Sequence, residues 1–188
     1  MVVGLGNPES EYGGTRHNLG ADVVGLLAER HGERLKRGKE RALVAEARID
    51  GKRVVLAFPQ TYVNESGGSV GALLRRHGVD DLRKLVIVHD ELDLPVGRVK
   101  LKIGGGTAGH NGLKSVQAHL HDNGFVRVRI GVDKPPGKRQ GADHVLRKPS
   151  KADKEALDVA VEVAADAVEA ILKEGPEAAM NRFNTRPD

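Results

Sequence analysis

Leu85-Val86-Ile87-Val88-His89-Asp90-Glu91-Leu92-Asp93 is the stretch that decides the fold class. The aliphatic run shows no in-and-out alternation, so Leu85 to His89 reads as a strand buried on both faces. Acids crowd the chain directly afterwards, at Asp90, Glu91 and Asp93, and mark the strand's exit from the core. A strand buried on both faces needs helices above and below it. In open α/β sheets such exits are where ligands meet functional side chains. A carboxylate there can orient a histidine, although a solvated acidic turn fits the same residues.

The flanking sequence supplies the other layers. Val2 to Leu5, Val99 to Ile103 and Val126 to Val132 read as further strands. Leu43 to Ile49 and Val54 to Phe58 read as a hairpin turning at Asp50-Gly51, a dipeptide suited to tight turns. Between them lie helical patterns. Ala21 to His31 carries Val23, Val24, Leu26 and Leu27 on one side and stops at Gly32; Val70 to His77 closes at Gly78; Leu113 to Leu120 follows a glycine-rich run. Ser150 starts a long helix to Lys173, with Asp153 in the capping-box position and an apolar stripe of Leu157, Val161, Ala164, Val168 and Ile171 or Leu172. Gly175-Pro176 ends it before a short terminal helix. Alternating strands and helices give an α/β fold, a sheet covered on both faces, in a single domain over residues 1–188 with no repeat or linker. Lys134 to Gly141, with Pro135, Pro136, Gly137 and three basic residues, reads as a mobile surface loop.

Composition narrows the function classes. The 188 residues include no cysteine, which removes disulfides, a thiol nucleophile and thiolate metal sites, and fits a reducing cytosol. No run approaches the roughly 18 apolar residues of a membrane span. The opening Met1-Val2-Val3-Gly4-Leu5-Gly6 lacks the form of a signal peptide, so the expectation is a cytoplasmic protein without membrane attachment. A net charge of +4 leans toward a polyanionic partner. Aromatics are only 3% of the chain, too few for a base-stacking RNA platform.

Four segments carry chemistry. Gly4-Leu5-Gly6-Asn7-Pro8 follows a strand; Glu9 stands where a dinucleotide fingerprint needs a small residue, so a strand-ending turn is the simpler alternative. Thr15-Arg16-His17-Asn18 puts a histidine in polar sequence ahead of a helix. His89 to Asp93 is the acidic strand exit. Gly104 to Gly112 opens a helix with residues whose backbone can approach a ligand, or forms a plain flexible loop. Two other patterns fail. Gly67-Gly68-Ser69-Val70-Gly71 matches a nucleophile elbow, but Asn64-Glu65-Ser66 precedes it instead of a buried strand. His119 and His121 lack the partners of a metal set.

Together these segments resemble the bacterial peptidyl-tRNA hydrolase family. The similarity runs from Val2 to about Arg182. It comprises Gly4-Leu5-Gly6-Asn7-Pro8, Tyr12, Thr15-Arg16-His17-Asn18, then Pro59-Gln60-Thr61-Tyr62-Val63-Asn64-Glu65-Ser66-Gly67, His89 to Leu94 and the Gly104 to Gly112 loop. The resemblance implies a twisted mixed sheet wrapped by helices, a monomer, no metal or cofactor, and hydrolysis of peptidyl-tRNA released prematurely from ribosomes. It implies His17 as catalytic base and Asp90 as its orienting partner. Asn7, Asn64 and Asn111, with Tyr12 and Tyr62 in the same motifs, fall in the substrate site. Lys102 and Arg129 match positions that grip the tRNA 5′ phosphate. Four features depart from the family pattern: Glu9 in place of glycine, Val63 in place of methionine, Thr107-Ala108 in the glycine loop, and His144 before Val145-Leu146.

The chemistry is coherent without the family. Ester hydrolysis near neutral pH suits a histidine base, whose free pKa is about 6.5. A carboxylate on one ring nitrogen fixes the tautomer. Neutral Asn amides or glycine-loop N–H groups suit a tetrahedral oxyanion. Two other readings remain: an RNA-binding accessory relative on the same fold, which retention of His17 and Asp90 disfavours, and a serine esterase, which the weak elbow and basic surplus disfavour.

Overall fold

In the computed structural model, which describes residues 1–137 and 140–185, fourteen strands and α-helices succeed one another along the chain. They are β1 (Val2–Gly4), α1 (Glu9–Tyr12), α2 (Leu19–Arg30), β2 (Lys36–Arg37), β3 (Ala42–Ile49), β4 (Lys52–Pro59), α3 (Ser66–Arg76), β5 (Val86–Glu91), β6 (Val99–Ile103), α4 (Asn111–Leu120), β7 (Val126–Gly131), α5 (Gly141–Val145), α6 (Lys151–Glu174) and α7 (Pro176–Asn184). The strands form one sheet in the order β2-β3-β4-β1-β5-β7-β6. It is mixed: β1, β4, β5 and β7 run parallel, while β3 and β6 are antiparallel to their neighbours. The expected α/β architecture is the one found.

Side-chain alternation divides the interior into two cores. Val2, Leu56, Val86, Val88, Val126 and Val128 face α2, α6 and α7. Val3, Leu5, Ala57, Leu85 and Ile87 face α3 and α4. Each fully buried Val or Leu contributes about 1.5–3 kcal/mol of transfer free energy, so the doubly buried β1 and β5 anchor the molecule. The Asp50-Gly51 turn has φ of 52° and 71°, as a tight right-twisting hairpin requires. Ser150 Oγ accepts the Asp153 N–H at 3.2 Å and caps α6.

Several boundaries differ from the sequence reading. α3 begins at Ser66 rather than Val70, and α4 at Asn111 rather than Leu113. In both cases the first turn is polar or glycine-rich, so apolar periodicity starts late. β5 runs through Glu91, which places Asp90 and Glu91 inside the strand, buried and partnered. α1, β2 and α5, of four, two and five residues, are too short to leave a periodic signal. Within the expected 134–141 loop, Lys138 and Arg139 lie outside the described residues, and Gly141 already begins α5.

Close backbone contacts at one glycine pair set where α2 lies on the sheet. A Cβ at Gly4 would meet the Gly20 carbonyl oxygen at 2.1 Å, and one at Gly20 would meet that of Val88 at 2.1 Å. Only glycine lets α2 settle backbone-to-backbone on β1 and β5, which brings the turn before α2 onto the end of β5. At the far edge of the sheet, the Asn184 amide accepts from Leu101 N at 2.8 Å and donates to Leu101 O at 2.9 Å, so α7 is tied to β6.

Candidate active site

A cleft of about 350 Å³ opens at the C-terminal ends of β1, β4 and β5. Its polar floor comes from Asn7 after β1, Asn64 after β4, Asp90 on β5, and His110 and Asn111 at the start of α4; Val63, Leu92, Val145 and Leu146 supply apolar walls. His17 enters from a short 3-10 turn (Arg16–Asn18) just before α2.

His17 Nδ1 lies 2.9 Å from Asp90 Oδ2 and 3.0 Å from Oδ1. His110 Nε2 lies 2.9 Å from the same Oδ1. The tautomer of His110 is set by its other nitrogen. His110 caps α4, and its Nδ1 accepts the N–H groups of Gly112 and Leu113 at 3.1 and 3.3 Å. Those groups can only donate, so Nε2 carries the proton and donates to Asp90. Asp90 is thus a 2% exposed carboxylate accepting from two imidazoles. Burial pushes its carboxyl up, but the adjacent His17 and His110 hold it well below the usual carboxylate range. Burial drags His17 down, and the charge and hydrogen bond of Asp90 outweigh this, so its pKa is raised. With Nδ1 engaged, Nε2 is the nitrogen left for chemistry.

The asparagines are set with similar care. Asn18, buried at 1%, accepts Asn7 N–H through Oδ1 at 2.9 Å and donates to Asn7 O through Nδ2 at 2.8 Å. Asn7 Oδ1 accepts the Val63 N–H at 2.7 Å. The Asn7 amide is therefore fixed with its NH2 group as the unengaged end, a neutral donor. Asn64 and Asn111 are exposed at the rim. Tyr12 and Tyr62 meet edge-on, centroids 6.5 Å apart, and Tyr62 is 48% exposed at the mouth.

Beneath the glycine loop lies a second polar layer. Arg127, 2% exposed, donates through Nη1 to Gly104 O at 3.1 Å and Gly106 O at 2.8 Å, and through Nε to His89 Nε2 at 3.2 Å. His89 Nδ1 donates to Asp90 O at 2.7 Å. Burial first, then the nearby His110 and Arg127, lowers the His89 pKa well below its usual value, so this ring is neutral and serves as a brace rather than a base.

The full-length match to known proteins identifies the chemistry. The peptidyl-tRNA hydrolase family model matches residues 1–188. A peptidyl-tRNA hydrolase of Frankia alni is 47% identical over 184 residues, covering 98% of this chain and 93% of that protein. One from Leifsonia xyli is 50% identical over 187 residues, covering 98% and 96%. A crystal structure of peptidyl-tRNA hydrolase from Acinetobacter baumannii superimposes with a TM-score of 0.92 at 38% identity, covering 98% of this chain and 93% of that one. The chain belongs to the peptidyl-tRNA hydrolase family.

Within this peptidyl-tRNA hydrolase fold, the structure brings His17, Asp90, Asn7, Tyr12, Tyr62, Asn64 and Asn111 to one cleft. Lys102 and Arg129 are not in its lining. They sit on β6 and β7 as diagonal neighbours of one antiparallel pair, roughly 7–8 Å apart at the backbone. Three residues that support the site stand inside the motifs quoted above without a role of their own there: His110, Asn18 and Arg16. Arg16 Nη1 donates to His144 O, Arg147 O and Lys148 O at 3.1–3.3 Å, clasping the end of the α5 wall to the turn that carries His17. Within the glycine loop, His110 takes up the Gly112 N–H, and it takes up the following Leu113 N–H as well.

The departures from the family pattern are accommodated. Val63 is buried against Gly112, Glu9 is exposed in α1, and Ala108 takes φ 49°, a left-handed conformation that costs a non-glycine residue roughly 1–2 kcal/mol. The His144 ring is buried, with Nε2 3.4 Å from Val132 O. Ser69 is buried on α3, with Oγ donating to Glu40 O at 2.8 Å, and does not reach the cleft. His17, Asp90 and His110 are close enough to hold a cation. The tautomer of His110 opposes that use, since its Nε2 has no free lone pair while Nδ1 caps the helix.

Proposed function

We propose that this chain hydrolyses the ester between a peptide and the 3′ end of tRNA by direct attack of a water that His17 deprotonates. The observation that carries the mechanism is the His17–Asp90–His110 arrangement, which engages His17 Nδ1 and leaves Nε2 as the basic ring nitrogen in the cleft. Water oxygen bonds to the ester carbonyl carbon as its proton passes to His17 Nε2. Asn7 Nδ2 stands ready for the oxyanion, while Asn64 and Asn111 match the amide groups of a peptide. Collapse breaks the carbon–oxygen bond to the ribose, and His17 returns the proton to the leaving oxygen. A cleft that presents amide partners to a peptide disfavours an ester with a bare amino group, which spares aminoacyl-tRNA. The cleft is complete within one chain, which fits a monomer. No helix of the described residues is long and apolar enough to cross a membrane; with the absence of cysteine, a cytoplasmic site of action is part of the proposal.

The direct test is incubation with N-acetylated aminoacyl-tRNA, scored by release of free tRNA; no release rejects the assignment. The same assay in EDTA should run at an unchanged rate. A loss that added metal restores would show that the His110 tautomer argument is wrong.

Lys102 and Arg129 are proposed to hold the 5′ phosphate. Glu91 lies 3.8 Å from both Arg127 and Arg129, so one carboxylate faces two guanidinium groups and the region keeps a positive surplus. Arg129 Nε is buried without a hydrogen-bond partner among the described residues, and Lys102 is exposed. Lys102→Ala or Arg129→Ala should weaken binding more than turnover at saturation. Each should flatten the log-affinity against log-salt slope by roughly 0.7–0.9, the increment for one phosphate. Unchanged slopes together with undiminished preference for a 5′ phosphate would place the contact elsewhere.

A further inference from the structure

Charge is divided unequally between the two faces of the sheet. On one face, α6 carries seven acids against three lysines, and α2 adds Asp22 and Glu29 against Arg30. Asp22 on this face, raised first by burial and then by Glu9 and Asp158, is pushed up to about 7. On the other face, neither α3 nor α4 contains a single acid, while Arg75, Arg76 and Lys114 lie on them. Lys100, Lys102 and Arg129 lie on this same face, because their strand neighbours Val99, Leu101 and Val128 point into the opposite core. The cleft and one flank of this face thus have their roles.

The other flank has none. Lys36 pairs across the strands with Val44, which packs into the core under α3, so Lys36 shares the α3 face. Arg41 precedes β3, whose first residue pairs with the last residue of β4, so it stands at the sheet end where the cleft opens. Its Nη2 lies 3.3 Å from where a Gly68 side chain would begin, and His119 Nε2 lies 3.7 Å from the same point. Arg75 folds back along α3, with Nη1 3.5 Å from the corresponding point at Gly71. Lys39 is exposed in the turn between Lys36 and Arg41. None of Lys36, Lys39, Arg41 and Arg75 forms an ion pair with a described residue. The nearby Glu40 is engaged by Arg76 at 3.3 Å, and Asp80 lines the groove beside α3 together with Arg75 without forming an ion pair with it. His119 is eight residues along α4 from Asn111, about 12 Å at 1.5 Å per residue, so this surface begins one short step from the cleft.

We propose that Lys36, Lys39, Arg41 and Arg75 form a second phosphate-binding surface, which holds the sugar–phosphate backbone of the substrate tRNA where it leaves the cleft on the α3 side. The proposal rests on the reading that the substrate is peptidyl-tRNA. Four cations without an ion-pair partner among the described residues, on a face whose helices hold no acids, complement the charge of a polyanion. They are positioning charges and touch no reacting atom.

The test is a fourfold variant, Lys36→Gln, Lys39→Gln, Arg41→Asn and Arg75→Gln. Asn is used at position 41 because φ there is 53°. Two substrates are compared: full-length N-acetylated aminoacyl-tRNA, and a short 3′-terminal oligonucleotide carrying the same ester. With full-length tRNA, KM should rise at least ~10-fold and the salt slope should flatten by roughly 0.7–0.9 per lost contact. Saturated turnover, and both constants for the short ester, should stay at wild-type values. Wild-type salt slopes on full-length tRNA overturn this surface alone. Equal losses on the short ester overturn it too, by tracing the effect to the cleft. Loss of binding to phosphatidylserine vesicles with an unmoved tRNA slope assigns the charges to a membrane and overturns it as well. A wild-type protein inactive on both esters would instead remove the underlying reading.

Discussion

A folded His17→Ala protein is expected to lose roughly 10²–10⁴ in turnover, the range for a general base, while its affinity for tRNA stays near wild type. The separation comes from the geometry. Among the described residues the His17 side chain hydrogen-bonds only through Nδ1, at Asp90, and its removal leaves Asn7, Asn64 and the basic flanks in place. Single-turnover rates and equilibrium binding of uncleavable tRNA measure the two quantities separately. Near-normal turnover in that variant would overturn the base assignment. Ser69→Ala is the matched control and should keep its activity, because the hydroxyl is spent on the Glu40 carbonyl.

Asp90→Asn should be nearly as damaging, through the proton rather than through bulk. His110 Nε2–H must donate to the oxygen it now meets, so an Asn at this position turns its carbonyl toward His110. Its NH2 then occupies the Oδ2 position, 2.9 Å from His17 Nδ1, and favours the His17 tautomer whose Nε2 already bears hydrogen. Such a ring cannot take a proton from water. Turnover should fall at least ~10-fold and by no more than the ~10²–10⁴ of the base itself. The residual activity carries a second signature. Burial lowers the His17 pKa and Asp90 raises it, so removing the carboxylate leaves burial unopposed. Activity depends on neutral His17 and rises with pH through its pKa, so the acid-side limb of kcat/KM should move to lower pH. A limb that stays where the wild type has it would detach Asp90 from His17.

How far these residues were legible in the sequence depends on the range of the forces that place them. β5, the hairpin and α6 announce themselves through local patterns: an aliphatic run, an Asp-Gly turn, a Ser cap with a stripe behind it. The meeting of His17 with Asp90 is not local. It depends on Gly4 and Gly20 allowing α2 to touch β1 and β5, and a glycine's close approach is invisible until the partner is known. His110 was hidden for another reason. Ser, Thr, Asn and Asp are the usual helix caps, so a histidine doing that work gives no signal, although its capping role is what fixes its proton. Arg127 and Arg129 alternate correctly toward one face, yet only the fold reveals that Arg127 is spent bracing the glycine loop while Arg129 keeps an Nε without a hydrogen-bond partner among the described residues.

The tie between Asn184 and Leu101 has a bearing on how the protein behaves among copies of itself. An exposed edge strand is a row of unmatched donors and acceptors that invites a foreign strand to add on. β6 is one edge of this sheet, and at Leu101 the Asn184 amide occupies both backbone groups as a neighbouring strand would. The opposite edge, β2, is only two residues long, and both are charged and exposed. One border is plugged by a side chain and the other is cut short and charged, so the sheet offers little for a second chain to extend into a filament.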